Sequence, residues 1–202
     1  TIKIAERGIE LALQTNDSVS YAVLNQSMGM AYYFKGDYEK AASLYFLSIA
    51  VYERANEKKQ LAYAYNDVAK LYRKTRDLKR ASDYYEKALL VFNSLKDLSG
   101  SQMILNESGV VYEYNGNYAE AVKRYNASLA IAKKLNDEAG KAWSYNFLAG
   151  VSVLQSKFEV AEDYHLQALG IRQKLQDSFS LAISYSDMGI MYSAWEKYER
   201  AV

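Results

Sequence analysis

The chain has 202 residues, half of them hydrophobic, enough to bury a substantial core as one large domain or a regular array. Lys plus Arg (25) nearly cancel Asp plus Glu (24), which argues against a dedicated nucleic-acid or anionic-membrane surface. Cys is absent, which excludes disulfide scaffolds and thiolate metal sites, and no apolar run approaches the roughly eighteen residues of a transmembrane helix.

A shift of forty residues aligns the chain with itself. Small residues recur at Gly29, Ala69, Gly109, Ala149 and Gly189, and at Ala41, Ala81, Ala121, Ala161 and Ala201. Aromatic residues recur at Tyr32, Tyr72, Tyr112 and Tyr192, broken by Ser152. A second aromatic column holds Tyr45, Tyr85, Tyr125 and His165, and a turn column holds Tyr38, Leu78, Tyr118, Phe158 and Tyr198.

In chain order, Thr1 falls in the Ala41 column, so residues 1–17 read as the second helix of a preceding unit. Complete units follow at 18–57, 58–97, 98–137 and 138–177, with a partial unit at 178–202. Within a unit the first helix is predicted over about 58–74, where Ala62, Tyr65, Val68, Ala69 and Tyr72 make one face. A turn follows, clearest in KGDY (35–38) and NGNY (115–118), where Gly36 and Gly116 supply positive φ. Asp37, Asp77 and Asn117 are predicted N-caps of the second helix, which runs to about residue 95. The column Asp17, Glu57, Asp97, Asp137 and Asp177 is predicted to cap the first helices in the same way. The small columns let helix backbones approach closely, and the aromatic columns fill the space around those contacts.

This pattern resembles the tetratricopeptide repeat (TPR), nearly complete in GMAYYFKGDYEKAASLYFLS (29–48) and GVVYEYNGNYAEAVKRYNAS (109–128). The resemblance covers the whole chain and implies an all-α, right-handed superhelical solenoid of antiparallel helix pairs over 1–202. The period is forty rather than thirty-four and the usual Pro is missing, so the extra residues are expected to lengthen helices. Forty-residue variants are familiar from bacterial peptide-pheromone receptors, from arrays fused to sensor kinases or transcription regulators, and from animal polarity adaptors. Neither end shows a polar capping helix, so the stretch reads as part of a longer protein. The compartment expected is the cytoplasm, or the periplasm should a membrane segment lie outside this stretch.

No enzymatic constellation stands out: there is one His, no Gly-rich phosphate loop and no distinctive carboxylate pair, and no cofactor or metal is implied. His165 sits in a Tyr column and reads either as an aromatic-sized packing residue with a polar tip or as a ligand or general base. The catalytic helix bundle that accompanies such arrays in some bacterial phosphatases has no counterpart here.

The polar column is Gln26, Asn66, Asn106, Asn146 and Ser186. The resemblance puts first helices on the concave face, and this column follows the packed Tyr65, Leu105 and Tyr145. A carboxamide donates and accepts, so it can hold one peptide unit's C=O and N–H. First helices about 10 Å apart, against an extended peptide advancing about 3.3 Å per residue, would grip every third residue. Pheromone receptors of this repeat type use Asn in that way, and the resemblance implies the same role here. The alternative is that each amide bridges adjacent repeats or bonds its own i−4 carbonyl.

Residues predicted to share the face are Val23, Met30, Tyr33 and Phe34, then Tyr63, Lys70, Arg73 and Lys74. Met103, Val110, Glu113 and Tyr114 follow, then Trp143, Val153 and Leu154. The groove is thus expected to be apolar and aromatic with one basic step, suited to a protein or peptide partner and not to nucleic acid. The cations of LYRKTRDLKR (71–80) read either as a socket for an acidic ligand group or as charges opposing a helix dipole. The alternating Lys and Asn of chaperone-tail carboxylate clamps is not reproduced. Self-association, without a peptide ligand, is the other reading.

Overall fold

A computed structural model describes residues 2–201; Thr1, which the register places in the Ala41 column, lies outside them, as do Val202 and the side chains of Ile2, Tyr198 and Ala201. Among the described residues the secondary structure is helix throughout, with no strand. Two compact units are formed, one ending at Asp97 and the other beginning at Leu98. The first holds α1 (Ile2–Gln14), α2 (Ser18–Lys35), α3 (Tyr38–Ala55), α4 (Lys58–Lys74) and α5 (Leu78–Ser94). The second holds α6 (Leu98–Tyr114), α7 (Tyr118–Leu135), α8 (Glu138–Leu154), α9 (Phe158–Leu175), α10 (Ser178–Ala194) and α11 (Tyr198–Ala201).

Helix starts follow the capping residues. The side chains of Asp37, Asp77 and Asn117 accept from the backbone N–H three residues on, at 3.2, 3.0 and 3.2 Å. Asp17, Asp137 and Asp177 do the same at 3.0, 2.9 and 3.1 Å. Each such cap is worth about 1 kcal/mol. Glu57 departs from the expectation: it stands at the N-cap of α4 and makes no side-chain cap bond. Its extra methylene does not suit the short reach that lets Asp close the loop.

Helix ends are equally regular. Gly36 and Gly116 take φ of 83° and 71°, and Arg76, Ser156 and Glu196 occupy the same left-handed region at the same place in their repeats. Between repeats, Asn16, Asn56, Lys96, Asn136 and Gln176 do so as well. Register imposes the geometry even where no glycine is present to ease it.

The small columns prove to be points of close approach. A Cβ added at Gly29 would stand 2.8 Å from the Tyr45 ring, and one at Gly109 would stand 2.3 Å from the Tyr125 ring. Ala41, Ala81, Ala121 and Ala161 are fully buried. Ser48 donates across the α2–α3 pair to the Ala22 carbonyl at 2.8 Å, and Ser128 meets Ser144 across α7 and α8 at 3.1 Å. Polar residues in that column therefore bond between helices and remain satisfied.

Within the first unit α2 also approaches α4, whereas the α3 and α5 backbones lie farther apart, with Phe46 and Tyr84 meeting edge-on at 6.1 Å between ring centroids. In the second unit α6 approaches α8 and α8 approaches α10, whereas α7 and α9 stay apart. First helices thus form the inner layer of each unit, the side on which the polar column lies.

Candidate functional site

The polar column divides into two kinds of amide. Gln26 donates through Nε2 to Asp67 Oδ2 at 2.6 Å, and its Oε1 accepts from the Tyr52 hydroxyl at 3.0 Å. Asn146 repeats this arrangement: its Nδ2 donates to Asp187 Oδ2 at 2.7 Å, and its Oδ1 accepts from Arg172 Nη1 at 3.4 Å. In both cases the acid lies 41 residues on and the donor 26 residues on. Those two amides bridge adjacent repeats.

Asn66 and Asn106 differ because their surroundings do. Twenty-six residues beyond them stand Phe92 and Ala132, which carry no side-chain donor, and forty-one beyond Asn106 stands Phe147, which cannot accept. The Oδ1 atoms of Asn66 and Asn106 are accordingly buried without a hydrogen-bond partner. An orphaned buried acceptor costs about 1–3 kcal/mol.

In the second unit this inner layer is hollowed by two neighbouring cavities. One of about 490 Å³ is lined by Gln102, Met103, Asn106, Glu107, Asp137, Trp143 and Phe147, among others. The second, about 430 Å³, is lined by Val110, Glu113, Asn146, Phe147, Val153, Leu154, His165, Asp187, Ile190 and Met191, with Gly150. Phe147 belongs to both. It stacks on Tyr125 at 5.1 Å between ring centroids and lies 6.4 Å from the Trp143 ring. Gly140 keeps one wall in place: a Cβ there would stand 2.0 Å from Gln102 Nε2, which donates to Asp137 Oδ2 at 3.1 Å. In the first unit a smaller recess of about 70 Å³ lies among Met30, Tyr33, Phe34, Tyr45, Asp67 and Lys70.

Burial dominates the electrostatics. It pushes the Glu113 carboxyl up, against the Tyr125 hydroxyl that donates to Glu113 Oε1 at 2.9 Å. It holds His165 below the ordinary imidazole value, with the Asp187 carboxylate opposing and Arg172 reinforcing that shift. Arg172 is itself buried and lowered by desolvation, with Asp187 and Asp177 offsetting part of it. Its Nη1 donates to Ser184 Oγ, and its guanidinium lies 4.8 Å from the Trp143 ring.

Of the residues expected on this face, Met103, Asn106 and Trp143 meet in the larger cavity, and Glu113 and Asn146 in its neighbour. Lys70 lines the recess of the first unit, beside Asp67. Gln26 is engaged by Asp67 and Tyr52, and Tyr63 packs edge-on against Phe92 at 5.1 Å. Arg73 and Lys74 lie in the last turn of α4, and Tyr114 is exposed at the end of α6. In the same cationic stretch Arg80 pairs with Asp77 and lies over the Tyr72 ring at 4.3 Å. The reading from sequence missed Glu107, Phe147 and Asp187. They share one column, Ser27, Asp67, Glu107, Phe147 and Asp187, directly after the amides, and the recurrence of acids there, broken by Phe147, was the available signal. Among the described residues no group of His, Asp and Glu could hold a metal ion, and no helix is long and apolar enough to cross a membrane.

The tetratricopeptide-repeat profile matches residues 6–94 and 101–174. The chain belongs to the tetratricopeptide-repeat family. It shares that family's all-α solenoid class, a fold that generally mediates protein interactions and is generally non-catalytic. No curated protein matches the sequence. Among solved structures, BtubC (BKLC) from P. vanneervenii superposes with a TM-score of 0.84 at 23% identity, over 99% of this chain and 85% of that one. A Signal Transduction ATPase with Numerous Domains protein with a tetratricopeptide repeat sensor, from Pyrococcus horikoshii, gives 0.78 at 20% identity, over 99% of this chain and 34% of that one. Aspartyl phosphate phosphatase F from Bacillus subtilis gives 0.83 at 14% identity, over 99% and 62%. This chain is thus similar in fold to about a third of the second protein and under two thirds of the third.

Proposed function

We propose that this TPR chain is a peptide- or protein-binding module that works as a sensor in a larger bacterial regulatory protein, with the ligand held along the first helices. The forty-residue register runs without a break from residue 18 to residue 177, which supports reading 1–202 as one array. The observation that carries the binding role is Asn106, whose buried Oδ1 lacks a partner, on the lining of a cavity that Met103, Trp143 and Phe147 share with it. A backbone N–H of a bound peptide supplies the missing donor, and the aromatic wall supplies contact area. The sensor role is argued by analogy with the repeat sensor of the Pyrococcus protein, which shares the fold.

The test is selection of displayed random peptides on the purified chain, followed by titration calorimetry of the enriched sequences. Asn106→Leu should keep the fold and weaken binding by about tenfold, the worth of one buried hydrogen bond. Unchanged affinity in that variant would sink the role given to Asn106.

One observation favours a second reading, self-association: α10 exposes Phe179, Tyr185 and Ile190 at 77%, 58% and 64%. Sedimentation equilibrium separates the two readings, because a concentration-independent monomer removes the self-association reading.

A further inference from the structure

The cavities of the second unit differ in charge from the rest of the chain. Apart from His165, their ionisable lining residues are Glu107 and Asp137 in one, and Glu113 and Asp187 in the other. All are acidic, although the whole chain carries a net charge of +1. Arg172 stands behind Asn146 and lines neither cavity, its Nη1 being held by Asn146 Oδ1 and Ser184 Oγ.

A second observation is independent of that charge. His165 is 2% exposed, lines the cavity shared with Glu113 and Asp187, and has a buried Nδ1 without a partner. In the other repeats a Tyr fills its place, and the Tyr125 hydroxyl reaches Glu113 twelve residues upstream. The equivalent residue upstream of His165 is Val153, which offers nothing to bond. A neutral imidazole with its proton on Nε2 presents Nδ1 as an acceptor.

Resting on the reading of this face as a peptide groove, we propose that the cavity lined by Glu113, His165 and Asp187 receives a basic side chain, arginine or lysine, of the bound peptide. A carboxylate has about four acceptor sites, and Glu113 uses one of them on Tyr125. The aliphatic stem of the ligand side chain lies against Val153, Leu154 and Met191, while its charged head meets the carboxylates. An incoming cation offsets the desolvation that holds the Glu113 carboxyl up, so the ligand relieves a cost already present in the free protein. An acidic peptide or a polynucleotide meets repulsion in the same place.

The experiment is the selection of random peptides on the chain, with synthetic versions of the enriched peptides measured by fluorescence anisotropy. Arg or Lys is expected at one fixed position of the enriched set. Exchanging it for norleucine in the peptide, or Glu113→Gln in the protein, should weaken binding about tenfold, and added salt should weaken the original pair. Asp187→Asn, which still accepts from Asn146, is the second variant and should weaken binding likewise. Enriched peptides without a basic residue, or affinities unchanged in both variants, overturn the basic subsite while leaving peptide binding intact. If no peptide is enriched, the peptide-binding reading falls, and this subsite falls with it.

Discussion

Asn106 and Asn146 hold the same place in the sequence pattern and opposite places in the energetics. Asn146 ties Asp187 to the buried Arg172, so Asn146→Leu strands both and should cost about 2 kcal/mol in urea unfolding. Asn106 has an unsatisfied oxygen, so Asn106→Leu should leave stability unchanged or raise it by about 1 kcal/mol. If both variants lose equal stability, the distinction between bridging and bare amides is wrong. The period identified the column, and the residues 26 and 41 positions away decide what each member does. Those partners lie on other helices, and a local reading of MILNE (103–107) or WSYNF (143–147) has no access to them.

At the level of the helix, start signals were the most legible part of the chain. Asp17, Asp37, Asp77, Asn117, Asp137 and Asp177 accept the expected backbone bonds, with Glu57 the departure. The stops were legible only at Gly36 and Gly116. Arg76, Ser156 and Glu196 adopt the same positive φ without the glycine that signals it. A non-glycine residue there costs about 1 kcal/mol. Ser156 is exposed at the end of α8 and takes φ 58°, so Ser156→Gly should stabilise the chain by about that amount. Chemical denaturation should show a higher midpoint with an unchanged slope, and a lower midpoint would mean that the serine side chain contributes there.

For the molecule as a whole, pH acts through groups with opposite signs. Burial lowers the His165 value, so the unfolded chain binds more protons and stability falls as pH drops below about 6.5. His165→Phe should remove that part of the acid sensitivity, read as a thermal midpoint that holds better than the parent's below that pH. Burial raises Glu113, so its contribution is fully present below about pH 4.3 and is lost as pH rises through the folded value. Glu113→Gln should therefore melt higher than the parent near neutral pH, with the advantage vanishing toward pH 4. The capping carboxylates Asp17, Asp77 and Asp177 are lowered by hydrogen bonds, and their contribution is lost as pH falls below about 4.

The order of residues along the chain specifies the forty-residue period, the helix pairs, most of their caps, the small-against-aromatic packing and the polar column of the first helices. These follow from spacings within one repeat and from columns that recur between repeats. Where the face bearing that column is hollow, and what charge the hollows carry, depends on how the helices pack. Glu113 on α6, Asn146 on α8, His165 on α9 and Asp187 on α10 border a single cavity, brought together by helix packing from four separate stretches of chain. Burial then sets the proton affinities of Glu113 and His165, a quantity that depends on the neighbours gathered by the fold and not on the order of residues along the chain.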